Sequence, residues 1–324
     1  MKASVFCFSD SGAELAGRLC KLLSLDQACI CRGIADDMEK LFTENDSLIF
    51  IGACGIAVRA VAPYIRSKTT DPAVIVIDDQ GRYVIPVLSG HIGGANGLAG
   101  KIAQLIGATA VITTATDGAG KFSCDSWAVQ NDCAISSIKI AKEVSAAILK
   151  KNIPVVSDYE LPSTLPEGLV PGETGEIGIY IGIHKKAPFK TTLQLIPHTL
   201  TVGIGCRKGT SEEHLLSAVK TVFADNNLDI RAVGRVASID VKMGEEGLLS
   251  LAKELDAELV FYTADELNAA DGNFDESTFV KDTVGTGNVC ERSAVIGGRK
   301  LIVKKTVMDG VTAAVAEKEW RIEF

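Results

Sequence analysis

The sequence predicts an α/β protein of two or three units, each a mostly parallel sheet flanked by helices, with glycine-rich strand-to-helix turns facing an inter-domain crevice. Three observations carry this expectation. Short apolar runs alternate along the chain with amphipathic stretches of helical period, the pattern of strands exchanging with crossover helices. Glycine-rich turns stand between an apolar run and a helical pattern at residues 52–55, 89–97 and 203–211. The 324 residues, 47% hydrophobic and 23% charged, have an ordinary globular composition and a length that calls for more than one core.

Each element has a local reason. Residues 3–8 are apolar and closed by Ser9-Asp10, a first strand; Ser11 and Glu14 read as a capping box for a helix running to Leu23. A short helix at 34–42 precedes a buried strand at 47–51, and 56–65 has helical period with Arg59 on its polar side. Strands at 72–77 and 82–88 flank the turn residues Asp78-Asp79-Gln80-Gly81, a hairpin. A helix at 95–106 is closed by Gly107, and a strand at 109–113 leads into a polar run ending at Asp117-Gly118. Beyond it come an amphipathic helix at 138–150, strands at 153–157 and 177–183, a Pro/Gly/Glu-rich loop at 161–175 and a charged linker at 184–190. A fresh α/β series follows: strands at 201–205, 231–239 and 258–262 alternate with helices at 211–223, 245–255 and 264–268, then a helix at 288–297 and strands at 300–306 and 312–322. The expected domains are an N-terminal α/β domain at 1–118, a middle region and linker at 119–196, and a C-terminal α/β domain at 197–324.

Charge and cysteine usage bound the function. A formal net charge of −8 argues against nucleic acid or anionic membrane as partner, while local cations can still hold a small anion. The nine cysteines form no C-x-x-C pair, and most stand in apolar surroundings, as reduced thiols of a cytoplasmic protein do. Neither a signal-peptide pattern nor a bilayer-length apolar run is present. No second His or Cys stands at ligand spacing, so no zinc site is expected; His184, His198 and His214 read as solvated.

The turn at 89–97 is the first chemical candidate. Four glycines, Ser89, His91 and Asn96 lie between a buried strand and a helix, where backbone N–H groups converge on an anion or a developing oxyanion. It lacks G-x-S-x-G and G-x-G-x-x-G, which sets aside a nucleophile elbow and a dinucleotide fold. His91 is either a general base, kept neutral by the helix N-terminus, or a cap. Asp117, at the end of the polar run, either faces the ligand crevice or closes an Asx-turn. Arg59, Arg66 and Lys68 either line an anionic ligand or form a solvated face.

The second candidate opens the C-terminal series. Gly203-Ile204-Gly205-Cys206-Arg207-Lys208-Gly209-Thr210-Ser211 resembles a phosphate loop, but its Lys-Gly-Thr order is not the Gly-Lys-Thr of a Walker motif. Arg207, Lys208 and the amides around Gly209 are either a carboxylate cradle or two solvated charges on a turn capped by Ser211. Thr286 and Gly287 sit in another glycine turn, with Glu291 beyond it, that can face the same crevice.

Taken together these segments resemble the CbiG family, the cobalt-precorrin-5A hydrolases of anaerobic cobalamin (vitamin B12) biosynthesis. The resemblance is densest at 52–59, 68–74, 88–96 and 112–117, resumes at 203–210 and 237–240, and runs through 305–314, nearly the whole chain with its motifs in order; 119–196 match loosely. It implies an enzyme that opens the δ-lactone of a cobalt-bound contracted tetrapyrrole and releases a two-carbon fragment as acetaldehyde. The cobalt would arrive inside the substrate, so no separate cofactor is implied. No catalytic residue comes with the resemblance. The roles are therefore assigned from the turns themselves: His91, Asp117 and Ser89 as the catalytic group, and Arg59, Lys68, Gly93, Gly94, Ala95, Asn96, Cys206, Arg207, Lys208, Thr210, Thr286 and Gly287 as substrate-binding. In this scheme the Gly93, Gly94 and Ala95 amides stabilise the oxyanion. A non-catalytic tetrapyrrole carrier, or a sugar-phosphate or nucleotide enzyme, would use the same loops, and the sequence leaves room for a homodimer.

Overall fold

The computed structural model describes residues 2–26, 29–67, 70–90, 93–113 and 121–324. They form two compact units, one of Met1–Gln130, Ile148–Lys151 and Pro166–Gly168, the other of Asn131–Ala147, Asn152–Leu165 and Leu169–Phe324.

The first unit is built on six strands, β1 (Ala3–Cys7), β2 (Ile30–Arg32), β3 (Ser47–Ile51), β4 (Ala73–Ile77), β5 (Tyr83–Leu88) and β6 (Thr109–Ala110), in the order β2-β1-β3-β4-β5-β6. Every residue of β1, β3 and β4 is buried, as parallel strands covered on both faces require. Alternation divides the residues between two cores. Val5, Ile49 and Ile75 pack with helices α1 (Asp10–Leu22) and α4 (Ala95–Ile106), whereas Phe6, Phe50 and Val76 pack with α2 (Met38–Glu44) and α3 (Cys54–Val61). The α1 cap is Ser9 rather than Ser11: Ser9 Oγ accepts the Gly12 N–H at 2.9 Å, while the Ser11 hydroxyl donates to Asp79 at 2.7 Å. A helix α5 (Cys124–Gln130) ends this unit.

One register decides what the turns can share. Strand β4 runs parallel to β3 but antiparallel to β5, with Val74 opposite Leu88 and Ile51 opposite Ile77. The turn after β5 therefore leaves the sheet at the edge opposite the turn after β3.

The second unit holds two sheets. The first contains β7 (Cys133–Ile135), β8 (Ile153–Ser157), β9 (Leu169–Pro171), β10 (Ile177–Ile181) and β11 (Thr191–Pro197) in the order β7-β11-β10-β8-β9, with helix α6 (Ile138–Ile148). The stretch read as loop, 161–175, thus contributes β9, and the charged 184–190 stretch is no free linker. His184 bridges to Leu228, and Ile183 and Ile196 enter the same apolar core as Leu200 and Val202. The Tyr159 hydroxyl donates to Glu317 at 2.7 Å, a further tie between the sheets.

The second sheet contains β12 (Leu200–Cys206), β13 (Val233–Ile239), β14 (Glu258–Tyr262), β15 (Lys300–Met308) and β16 (Val311–Glu317), ordered β14-β13-β12-β16-β15. Strands β12, β13 and β14 are parallel, joined by crossover helices α7 (Glu212–Asp225) and α8 (Glu246–Glu254). Short helices α9 (Ala264–Asn268), α10 (Thr278–Val284) and α11 (Cys290–Val295) follow. Gly203 lets α11 lie directly on the sheet, since a side chain there would run into the Cys290 carbonyl.

Candidate functional site

A cavity of about 580 Å³ opens at the carboxyl ends of β12 and β13, where an open α/β sheet offers its ligand crevice. Cys206 and Arg207 close the β12 side, Ser238 and Ile239 the β13 side, and the 287–290 segment entering α11 the back. Helix α10 makes the front wall. Val280 and Val284 pack down onto Ile239, Leu267 and Val289, which leaves Phe279 raised at the mouth. The sequence-derived residues Cys206, Arg207, Lys208 and Gly287 therefore line one cavity.

The cavity carries four cations, of which one is already neutralised. Lys242 pairs with Glu245 at 3.0 Å, and the other Glu245 oxygen accepts the Gly209 N–H at 2.8 Å. The amide and ammonium bonds hold the Glu245 carboxyl below its usual range. The cradle expected around Gly209 is thus filled by the protein's own carboxylate. Thr210 is likewise engaged, its hydroxyl donating to the Arg207 carbonyl at 2.8 Å. Arg207, Lys208 and Lys305 make no ion pair or side-chain hydrogen bond among the described residues. Burial raises the thiol pKa of Cys206, and carries that of Cys290, on the same cavity, to about 11, so both are neutral thiols at pH 7.

Behind the cavity a buried network fixes the 286–291 turn. The Glu291 carboxylate, 1% exposed, accepts from the Asn288 amide at 2.6 Å and from the Lys305 and Asp275 N–H groups at 2.8 and 3.2 Å. Thr286 is wholly buried and its hydroxyl has no partner among the described residues; it packs rather than lines the cavity.

In the first unit, His91, Asp117 and Lys68 lie outside the described residues. The described residues of the 89–97 turn are tightly built. Ser89 is buried at positive φ (56°), and its Oγ lacks a partner among the described residues. A side chain at Gly93 would collide with Ser89, and Gly94, at φ 76°, caps α4. The Ala95 N–H donates to the Ser89 carbonyl at 3.1 Å and the Asn96 N–H to the Gly90 carbonyl at 2.9 Å. Those two amides close the turn, so the Ala95 amide is removed from the expected oxyanion set. Asn96 is buried with its carboxamide against Gly90. Arg59 folds over Gly55 at the start of α3, on the edge opposite the 89–96 turn, so the two do not meet.

Two family models match the chain, "Cobalamin synthesis G N-terminal" over residues 36–117 and "Cobalamin synthesis G C-terminus" over residues 200–316. The chain is 32% identical to the cobalt-precorrin-5A hydrolase of Salmonella typhimurium, with 95% of each chain covered. The chain belongs to the CbiG family. It is also 31% identical to the cobalt-precorrin-5A hydrolase of Priestia megaterium, covering 86% of this chain and 80% of that one. With the probable cobalt-precorrin-5A hydrolase of Methanocaldococcus jannaschii it shares 28%, covering 86% and 87%.

In this CbiG-family chain the second match spans the whole cavity, while the histidines read as solvated fall elsewhere and are engaged. His184 Nδ1 contacts Asp158 at 2.7 Å, His198 Nδ1 contacts Asp132 at 2.8 Å and His214 lies 3.8 Å from Asp309. Each partner is remote in sequence, which is why spacing alone could not find it. Sequence reasoning also missed Lys242, Glu245, Phe279 and Lys305. The i,i+3 spacing of Lys242 and Glu245 just past a strand end was the available signal. Among the described residues no helix is long and apolar enough to cross a membrane.

Proposed function

We propose that the chain is a cobalt-precorrin-5A hydrolase whose C-terminal cavity holds the polycarboxylate macrocycle. The observation that carries the reading is the cavity itself: an apolar wall at a sheet's carboxyl edge, rimmed by three cations without ion partners among the described residues, in a chain of this family. Arg207, Lys208 and Lys305 supply charge-assisted contacts to side-chain carboxylates, and the neutral thiols and apolar wall suit the ring. The cobalt is part of the substrate.

The chemistry is assigned to the 89–94 turn. His91 removes a proton from water as it adds to the lactone carbonyl, and the Gly93 and Gly94 amides receive the oxyanion. Collapse opens the ring to a carboxylate and a free hydroxyl. In the second step a base, with Asp117 the assigned group, takes the hydroxyl proton. The carbon–oxygen double bond of acetaldehyde forms, and the electron pair of the broken carbon–carbon bond passes into the macrocycle. Support for this half of the reading is the close glycine packing at Ser89 and the α4 dipole.

The test is incubation with cobalt-precorrin-5A and capture of acetaldehyde by alcohol dehydrogenase and NADH. Acetaldehyde in step with substrate loss is expected. Tight binding with no acetaldehyde would make the chain a carrier instead.

A further inference from the structure

Two residues at the cavity mouth are more exposed than an apolar side chain gains anything by being. Phe279 is 78% exposed and Val241 64% exposed, yet both line the cavity, from α10 and from the segment after β13. Phe279 is fixed from below, because Val280 and Val284 of the same helix are packed into the Ile239–Leu267–Val289 cluster. The Thr283 hydroxyl, also on the cavity wall, donates to the Phe279 carbonyl at 2.7 Å. An aromatic held in place but left bare is an anchor waiting for a flat apolar face.

The charges complete the picture. Lys242 is spent on Glu245, so it cannot serve a ligand carboxylate without breaking that pair. Arg207 lies against Gly310 on the β12 side, and Lys305 rises from β15 with its backbone N–H locked to the buried Glu291. Apolar contact is thus offered by α10 and Val241, and positive charge by the strand ends. A sugar phosphate offers no apolar face to match the first wall, and a plain aromatic offers no charge to match the second.

From this we infer that Phe279 and Val241 form a platform that takes the face of a planar macrocycle, while Arg207 and Lys305 clamp carboxylates at its edge. The inference rests on the C-terminal cavity being the substrate site and names the specificity-determining residues within it. Platform and clamp divide the recognition: ring face by the first pair, free carboxylate by the second.

Two corrinoids separate the parts. Cobyrinic acid carries free carboxylates; cobinamide carries a cobalt corrin ring whose side chains are amides. Binding of each to the full chain is measured by the shift of the corrin absorption spectrum, for wild type, Phe279→Ala, Arg207→Met and Lys305→Met, with thermal melts to confirm folding. Cobyrinic acid should bind the wild type more tightly than cobinamide. Phe279→Ala should weaken both ligands roughly 5- to 20-fold, the worth of one aromatic face. Arg207→Met and Lys305→Met should each weaken cobyrinic acid by a similar factor, leave cobinamide within about twofold, and reduce the salt dependence. Wild-type affinity of Phe279→Ala for both rings overturns the platform; equal losses for both ligands in the cation variants overturn the clamp. Acetaldehyde release by a wild type whose Phe279→Ala variant keeps its KM would sink the inference while leaving the hydrolase reading intact. Phe279-dependent corrinoid binding without acetaldehyde release would do the reverse.

Discussion

At the scale of single residues the two turns behave differently. The 89–94 turn is tight because Gly93 sits against Ser89 and the Ala95 and Asn96 amides are tied back to the strand end. The proposed general base, His91, belongs to this turn in sequence. His91→Ala should therefore fold, bind substrate and lose roughly 10²- to 10⁴-fold in kcat, the usual worth of a positioned acid–base group. His91→Asn keeps a hydrogen-bonding cap without a base; acetaldehyde release near the wild-type rate in that variant would move the base to Asp117. In the C-terminal cavity the decisive residue is Glu245, whose carboxylate occupies the Gly209 amide and the Lys242 ammonium. Its pKa is lowered on folding, so its stabilisation is complete above the ordinary carboxylate range, ~4.3, and is lost as pH falls through the depressed folded value. Glu245→Gln should be less stable than wild type at neutral pH, and the gap between their unfolding midpoints should close in acid. A gap that stays constant down to the acid limit would show that the charge is not what stabilises the loop. Freed of its partner, Lys242 should also lower KM for a carboxylate substrate roughly two- to fivefold, read from initial rates at low salt.

At the scale of elements, the lesson lies in how helices are set on strands. Gly203 admits α11 onto β12, and Gly247 admits the start of α8 against the Thr210 carbonyl. Gly203→Ala should cost about 1–3 kcal/mol in a denaturant melt, because the new methyl meets a backbone carbonyl that no rotamer change relieves. It should also raise KM, since α11 carries Cys290 at the back of the cavity; unchanged stability would mean the helix slides at no cost. Elements whose evidence is local were legible in the sequence: the buried strands at 47–51 and 73–77, the helix closed by Gly107, and the alternating series from 200 to 262. The β2, β7 and β11 strands were not, because β2 and β7 are only three residues long and β11 sets Thr191, Thr192 and Gln194 into its apolar run. The cap at Ser9 was misread because the helix begins at Asp10, ahead of the Ser11–Glu14 pattern, and Ser11 turns its hydroxyl to Asp79. The site followed this division. Turn residues 206–208 and 287 could be found from glycine spacing, while Phe279 and Lys305 could not, since they reach the cavity only through the packing of α10 and the path of β15.

At the scale of the whole molecule, each compact unit carries its own strand-to-helix turn, and the two do different work in this account. Ring recognition is proposed for the C-terminal cavity, and the base and oxyanion donors are proposed separately for the 89–94 turn of the other unit. The two functions should separate in kinetics. Arg207→Met and Lys305→Met should raise KM with kcat nearly unchanged, because those contacts exist in ground and transition state alike, whereas His91 variants should lower kcat. In the proposed reaction water opens the lactone before the two-carbon fragment leaves. This order is tested most directly by a single turnover of cobalt-precorrin-5A in ¹⁸O-water, followed by the mass of the macrocycle. The expected product is shorter by two carbons, its newly freed carboxylate carries one ¹⁸O atom, and acetaldehyde forms in equal amount. A macrocycle recovered bound but unchanged in mass, or a shortened product without ¹⁸O, would contradict it.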